Sequence, residues 1–339
     1  MTERLGLGLL GCADIAVRRV LPAVARSALV RLTAVASRDG ERAAAVAGRF
    51  GGAPVAGYER LLARTDVDAV YAPVPAALHA TWVRAALRAG KHVLAEKPLS
   101  VDPATTAELL ALARASGLVL WENVMFLQHP QHATVRRLLA TGAIGEPRLF
   151  SAGFTVPPRP PADIRHRADL GGGALFDVGV YPLRAALALL GTDLEVVGAT
   201  LHPDSGSGVD LGGGALLSRR DGVAVQLSFG MAHHYTSRYE VLGATGRLHL
   251  AHAFTPPATH RPTVLVERTD ATERWELEPY DQCLGTVESF ARAVRAGAGT
   301  SGDTVLRQAE LLADIQRAAG HPTRAASDPQ TRPSKGEES

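Results

Sequence analysis

Only two cysteines, Cys12 and Cys283, occur in 339 residues, and neither belongs to a CxxC pair. That excludes a disulfide framework and leaves a structural thiol as the reading of both. An excess of one charge is also missing. Thirty-six basic residues stand against 34 acidic ones, for a formal net charge of +2. The arginines are spread along the chain, so nothing electrostatic calls for nucleic acid or a membrane surface as a partner. No uncharged apolar run approaches the roughly 20 residues of a membrane span. Met1-Thr2-Glu3-Arg4 leads into an apolar strand with neither a signal-peptide h-region nor a cleavage site. A cytoplasmic location is expected. What the chain does have is an ordinary globular balance, 46% hydrophobic and 21% charged, over a length that favours two domains.

The first third alternates strand and helix signals. Strands are expected at 5–10, 31–37, 69–73, 92–96 and 118–123, with helices at 15–25, 41–50 and 80–89. Asp102 followed by Pro103 is sound chemistry for a further helix start. Strands separated by helices of this length imply βαβ units and a parallel sheet. After residue 123 the rhythm changes. Strand runs at 148–155, 194–201, 213–218, 223–229, 239–243 and 247–251, and a hairpin of 264–269 with 272–277, have few helices between them. The expected fold is α/β: a dinucleotide-binding Rossmann domain over 1–123, then an α+β domain over 124–320 built on a large, mostly antiparallel sheet. Helices are expected at 286–295 and 304–319, and residues 321–339 are expected to be a disordered tail.

A literal GxGxxG at Gly6-Leu7-Gly8-Leu9-Leu10-Gly11 is in the wrong register, because its first two glycines lie inside the strand. The turn must begin where the strand ends, at Gly11-Cys12-Ala13-Asp14-Ile15-Ala16. Gly11 supplies the tight turn, Ala13 lets the backbone approach a pyrophosphate, and Ala16 allows close helix–sheet packing. No acid stands directly at the exit of the second strand, where NAD-binding forms hold the ribose hydroxyls. Ser37-Arg38 stand there instead and suit a 2′-phosphate, with Asp39 turned away. NADP(H) is the expected cofactor.

Glu96-Lys97-Pro98 ends another strand and puts a lysine at the carboxyl edge of the sheet. Downstream, the run from Gly171-Gly172-Gly173 through Asp177 to Tyr181 can bring a phenol to meet it. An ammonium beside a tyrosine hydroxyl is equipment for protonating a carbonyl oxygen while a hydride reaches its carbon. The charge of Lys97 is expected to lower the Tyr181 pKa from its ordinary value of about 10. Asp177, four residues before Tyr181, could orient the substrate or the tyrosine, and Pro182 leaves the local helix geometry open. His129 and His132 are spaced like a metal pair but have no third ligand, so no metal is expected.

These motifs together resemble the Gfo/Idh/MocA oxidoreductases. The match includes the Gly11 turn, Pro73-Val74-Pro75 with His79, Glu96-Lys97-Pro98, Glu122-Asn123, Gly145-Glu146-Pro147 and the 171–181 run. The resemblance implies that Gly11, Cys12, Ala13, Asp14, Ile15, Ser37, Arg38, Pro73, Pro75, His79, Glu96, Lys97 and Asn123 line the cofactor. It implies catalytic roles for Lys97, Tyr181 and Asp177, with Tyr181 as proton donor. Many family members carry histidine at that position. Within the tyrosine subset, Asp163-Ile164-Arg165 and Gly179-Val180-Tyr181-Pro182 most resemble nucleotide-sugar 3-ketoreductases of deoxysugar biosynthesis. That implies NADPH-dependent reduction of a dTDP-3,4-diketo-2,6-dideoxyhexose at C3. Arg165 and Tyr235 are the preferred substrate contacts beside Lys97 and Tyr181, and a homodimer or homotetramer is expected. A dehydrogenase of free sugars, polyols or diols, and a noncatalytic NADP-responsive regulator, are the alternatives.

Overall fold

The computed structural model describes residues 3–298 and 302–321. Two sheets organise the chain. The first holds six parallel strands: β1 (Leu5–Leu10), β2 (Val30–Ser37), β3 (Ala53–Ala56), β4 (Ala69–Ala72), β5 (His92–Glu96) and β6 (Leu120–Asn123). Their order is β3-β2-β1-β4-β5-β6, which is that of a Rossmann sheet whose strand order reverses between β1 and β4. All five expected strands are present. β3 was not anticipated, because Pro54 interrupts its short run. It is an edge strand paired only with β2, where a missing backbone N–H is tolerated.

The second sheet has eight strands: β7 (Pro147–Thr155), β8 (Leu194–Pro203), β9 (Asp210–Arg219), β10 (Ala224–Gly230), β11 (Thr236–Gly243), β12 (Gly246–Ala251), β13 (Thr263–Arg268) and β14 (Ala271–Glu276). Their order is β14-β13-β12-β11-β7-β10-β9-β8. Every pairing is antiparallel except that of β7 with β10. One sheet face packs on the helix Val180–Leu190, burying Phe150, Phe154, Leu183, Leu187, Val225 and Tyr239 in a common core. The helical run Ala168–Leu190 is long and apolar enough to cross a membrane, but most of it is buried inside this fold.

The C-terminal helices do not belong to the second core alone. Gln282–Arg295 sets Val287, Phe290 and Ala291 against the first sheet. Gly302–Ala318 gives Val305 to one core and Leu311, Leu312 and Ile315 to the other. The segment 124–320 therefore contributes to both cores. The first of these helices starts at Gln282 rather than near 286, because the Asp281 carboxylate caps the amides of Cys283 and Leu284. Of the expected tail, residues 322–339 lie outside the described residues.

Candidate active site

Parallel strands send their carboxyl ends to one edge of a sheet, and loops that face a ligand gather there. β1 ends at Gly11, whose φ of +104° only glycine adopts readily. A Cβ at Gly11 would stand 3.2 Å from Val74 Cγ1. Gly6 and Gly8 are buried inside β1, and a Cβ on Gly6 would lie 2.5 Å from the Asp66 carbonyl. The structure thus places the turn at Gly11 and assigns the earlier glycines to packing. The chain becomes helical directly after Ala13, and the Val17 amide donates to the Ala13 carbonyl. The Cys12 carbonyl accepts from Arg42 Nη2 at 2.7 Å, and the buried Cys12 thiol is pushed above its ordinary pKa, chiefly by burial. Asp14 directs its carboxylate to Arg18, leaving only its backbone for the turn.

At the exit of β2, Asp39 caps the helix Gly40–Phe50, accepting from the Glu41 and Arg42 amides at 2.9 and 3.3 Å. One oxygen of its carboxylate is taken by the cap, and Ser37 and the exposed Arg38 stand at the strand end. The Arg38 charge works against the burial that raises the Tyr58 pKa, which places the guanidinium near that hydroxyl. The residues fit a dinucleotide carrying a 2′-phosphate: a glycine cradle closed against a Cβ, an acid drawn into a helix cap, and a guanidinium directly at the strand exit. Arg42 and Tyr58 were missed in the sequence. The signal for Arg42 is its position three residues after the capping aspartate, in the first turn of a helix beside the glycine turn.

Pro73 follows β4, and Pro75 stands directly before the helix Ala76–Arg88. His79 departs from its expected role. It is buried, with Nδ1 2.7 Å from the Pro98 carbonyl and Nε2 2.7 Å from the Val74 carbonyl. Both ring nitrogens face backbone, so no polar atom is left for a cofactor, and a neutral ring donates to one carbonyl only. His79 clamps the two loops that carry Pro75 and Lys97. Glu96 likewise turns inward. Its Oε1 accepts from the Tyr71 hydroxyl at 2.7 Å and from Asn123 Nδ2 at 2.6 Å. Burial raises the Glu96 pKa despite these bonds. Asn123 Oδ1 is left buried with no partner.

The second domain reaches this edge through its glycine run. Gly171 has φ +79°, and a Cβ there would stand 3.0 Å from the Ala77 amide nitrogen. One on Gly172 would lie 2.4 Å from the Arg165 carbonyl. Only a bare backbone passes both. The chain then enters a π-helical turn, Leu175–Gly179, that leads into Val180–Leu190. Pro182 sits early in that helix. The wide turn just before it accommodates a ring that would clash with the carbonyl four residues back. Gly179 lets the helix close on β10, since a Cβ there would be 3.0 Å from Phe229.

This path brings Lys97, Asp177, Arg165 and Tyr181 together. Lys97 Nζ donates to the Asp177 carbonyl oxygen at 2.5 Å and to its Oδ1 at 3.0 Å. Arg165 Nε donates to Asp177 Oδ2 at 2.6 Å, and Arg165 Nη1 to Asp163 Oδ1 at 3.1 Å. Lys97 Nζ stands 5.2 Å from the Tyr181 ring centroid. That ring is wedged among Phe154, Phe254 and Phe126, with centroids 4.9, 5.9 and 6.0 Å away. Such aromatic pairs contribute about 0.5–1.5 kcal/mol each beyond area burial.

The electrostatics differ from the simple expectation. Burial raises the Tyr181 pKa more than the Lys97 charge lowers it, and Glu96 and Asp177 push it up further. The net direction is upward, so Tyr181 is a neutral phenol at pH 7. Burial would lower Lys97, but Asp177, Tyr181 and Glu96 together lift it above its ordinary value. Burial would raise Asp177, yet the Lys97 and Arg165 charges hold it well below the usual carboxylate range. Asp177 therefore orients Lys97, and Lys97 is what faces Tyr181.

Tyr235 stands apart from this group. It is 38% exposed, its hydroxyl is 3.1 Å from Thr255 Oγ1, and its ring meets the edge of Phe154. It shares one aromatic neighbour with Tyr181, whereas Arg165 is bound to two carboxylates, so the two expected substrate contacts do not form one cluster. Asp163, also missed, was legible as the acid two residues before Arg165 that caps the short turn Ile164–His166. His132 is buried with Nδ1 2.9 Å from the Tyr239 hydroxyl and Nε2 2.9 Å from the Ala253 carbonyl, and His129 caps the helix Pro130–Ala140.

Comparison with known proteins gives a consistent set of matches. Residues 5–124 match the model of an oxidoreductase family with an NAD-binding Rossmann fold, and residues 132–249 that of the GFO/IDH/MocA C-terminal domain. A dTDP-3,4-didehydro-2,6-dideoxy-alpha-D-glucose 3-reductase from Actinomadura kijaniata is 53% identical over 92% of this chain and 95% of its own. A reductase of the same name from Streptomyces violaceoruber is 55% identical, over 93% and 95%. Among solved structures, a 3-ketoreductase from Actinomadura kijaniata in complex with NADP and TDP-benzene superposes with a TM-score of 0.91. It is 52% identical, over 93% of this chain and 98% of the other.

Proposed function

The chain belongs to the Gfo/Idh/MocA oxidoreductase family, and from that membership we propose that it is an NADPH-dependent sugar 3-ketoreductase. Its substrate is a dTDP-3,4-diketo-2,6-dideoxyhexose, reduced at C3. The observation that carries the reading is the approach of Lys97 to Tyr181 at the carboxyl edge of the first sheet, under the grip of Asp177. The identity to the 3-reductases over nearly the whole chain supports the substrate class.

A nicotinamide held at this edge would supply the hydride to the carbonyl carbon. Tyr181 gives its phenolic proton to the carbonyl oxygen, so that a carbinol forms, and the tyrosine is reprotonated from solvent. Lys97 stabilises the phenolate while it lasts and offers charge to the developing alkoxide. Asp177 and Arg165 hold the ammonium in place. Arg38, with Ser37 and Arg42, provides the cationic end that receives the 2′-phosphate. Tyr235, exposed and aromatic beside Phe154, serves the nucleotide end of the substrate. A homo-oligomer, dimer or tetramer, belongs to this reading. Its support is the exposure of Val197 and Leu216, 63% and 42%, on the neighbouring strands β8 and β9. A cytoplasmic location goes with the demand for NADPH.

The test is NADPH oxidation with an enzymatically generated dTDP-3,4-diketo-2,6-dideoxyhexose, run beside free sugars, a dihydrodiol and NADH. Turnover that requires both the nucleotide sugar and NADPH is expected. Turnover of free sugars or diols alone would move the protein to another branch of the family. Tight NADPH binding with no reaction would point to a regulatory role.

A further inference from the structure

Beneath the Lys97–Tyr181 pair lies a second ionic contact that the reaction does not use directly. Glu122 stands on β6, opposite Ala95 on β5. Its Oε1 accepts from the Leu99 amide at 2.9 Å and from Gln308 Nε2 at 2.8 Å. Its Oε2 is 3.1 Å from Arg184 Nη2, with the two side chains only 1% and 6% exposed. Arg184 Nη1 donates in turn to the Thr304 carbonyl and to Gln308 Oε1, each at 3.2 Å. Four segments therefore meet at one buried ion pair: the loop after Lys97, the last strand of the first sheet, the helix of Tyr181, and the C-terminal helix Gly302–Ala318.

The spacing is what gives this meaning. Leu99 is two residues beyond Lys97, and Arg184 is one helical turn beyond Tyr181. The Lys97 loop and the Tyr181 helix come from different sheets, and apolar packing between them tolerates small slides. A dry charge pair does not, because separating the partners strands a buried charge. Burial already lowers the Arg184 pKa below its ordinary value, which marks how little water reaches it. A buried pair is weak evidence for stability, since neutral residues of similar volume often serve as well. It is better evidence for a fixed register.

We propose that Glu122 and Arg184 are a positioning pair that sets the Tyr181 helix against the Lys97 loop, and so fixes the distance from ammonium to phenol. The proposal rests on the ketoreductase reading for its kinetic consequence but not for its geometric one.

The experiment uses the full chain carrying Glu122→Gln together with Arg184→Met. The double change is neutral in net charge and keeps an acceptor for the Leu99 amide. It is expected to fold, with an unfolding temperature close to wild type and unchanged NADPH affinity. A kcat about 10–100-fold lower is expected, the scale of a small misplacement of reacting groups. The same double change placed on Tyr181→Phe should cost little more, because a residue acting through Tyr181 has no lever once the phenol is gone. An equal proportional loss in both backgrounds, or an unchanged kcat in the first, overturns the proposal.

A second readout needs no substrate. With ring-labelled tyrosine, the Tyr181 ionisation midpoint is followed by NMR, and the double variant should titrate at higher pH as Lys97 recedes. An unmoved midpoint overturns the proposal even if wild type reduces no sugar, whereas absent turnover alone counts against the ketoreductase reading. If the double variant does not fold, Arg184→Lys replaces it. That variant keeps the charge but replaces a guanidinium that faces Glu122 through Nη2 and Thr304 and Gln308 through Nη1 with a single ammonium, and should show the same two signatures to a lesser degree.

Discussion

Asp177 holds one ammonium twice, by its main-chain carbonyl at 2.5 Å and its carboxylate at 3.0 Å from Lys97 Nζ. The other carboxylate oxygen takes Arg165. One acid thus balances two cations in a site where burial alone would neutralise it. The consequence is a lysine whose charge persists at neutral pH and whose direction is fixed toward Tyr181.

Replacing the lysine tests that arrangement most directly. Lys97→Ala is expected to lower kcat by at least 100-fold, in the range of a lost charge that stabilises developing oxyanion character. The dissociation constant for NADPH, read by fluorescence titration, should change little. Unchanged kcat would remove Lys97 from the mechanism.

Tyr181→Phe keeps the ring among Phe126, Phe154 and Phe254 and removes only the hydroxyl. The expected loss is about 10²–10⁴-fold in kcat, the usual worth of a positioned proton donor. Near-wild-type turnover would mean that the proton comes from water or from the substrate itself.

The pH profile separates a phenol from an imidazole. The donor must be protonated, and burial lifts the Tyr181 pKa above its ordinary value. Reduction should therefore be flat through neutrality and fall only above about pH 10, the ordinary phenol range. Lys97, also raised, stays charged across the same interval. In Tyr181→His, a falling limb should enter near pH 6.5 or below, where a histidine loses its proton. A wild-type limb near neutrality would contradict the assignment.

Acid stability should report Asp177. Its folded pKa lies below the unfolded one, so its contribution is complete above about pH 4 and is lost as pH falls below that value toward the folded pKa. Asp177→Asn leaves Lys97 and Arg165 without their shared counter-charge. Urea unfolding should show the variant less stable at pH 7, with the gap narrowing as wild type is acidified below pH 4. A gap independent of pH would sink this account.

Cofactor preference should follow Arg38. Hydrogen bonds to charged groups contribute about 1.5–3 kcal/mol, or roughly 10–150-fold in binding. Arg38→Ala is expected to weaken NADPH by that order and leave NADH almost untouched. Equal weakening of both would place the arginine away from the 2′-phosphate.

Much of this was legible in the sequence. β1 can end only where an apolar run meets a glycine that tolerates positive φ, which puts the turn at Gly11 rather than at Gly6. Lys97 and Tyr181 were identifiable from their motifs, because a strand exit and a glycine run constrain the backbone locally. β3 was not legible, since its pairing lies with a distant strand and its proline argues against it. The start at Gln282 was missed because the cap at Asp281 carried less signal than the apolar spacing after it.

The sequence by itself determined the alternation of strands and helices, the position of the turn and which lysine and tyrosine could be brought to meet. Those follow from φ preferences, apolar period and side-chain chemistry, all of which act over a few residues. Only the tertiary structure decided what each polar group faces. It turned His79 onto two backbone carbonyls, set Asp177 on Lys97 instead of Tyr181, and made burial outweigh the lysine in the Tyr181 pKa. Charge interactions and desolvation depend on distances between residues remote in the chain, and the folded core sets those distances.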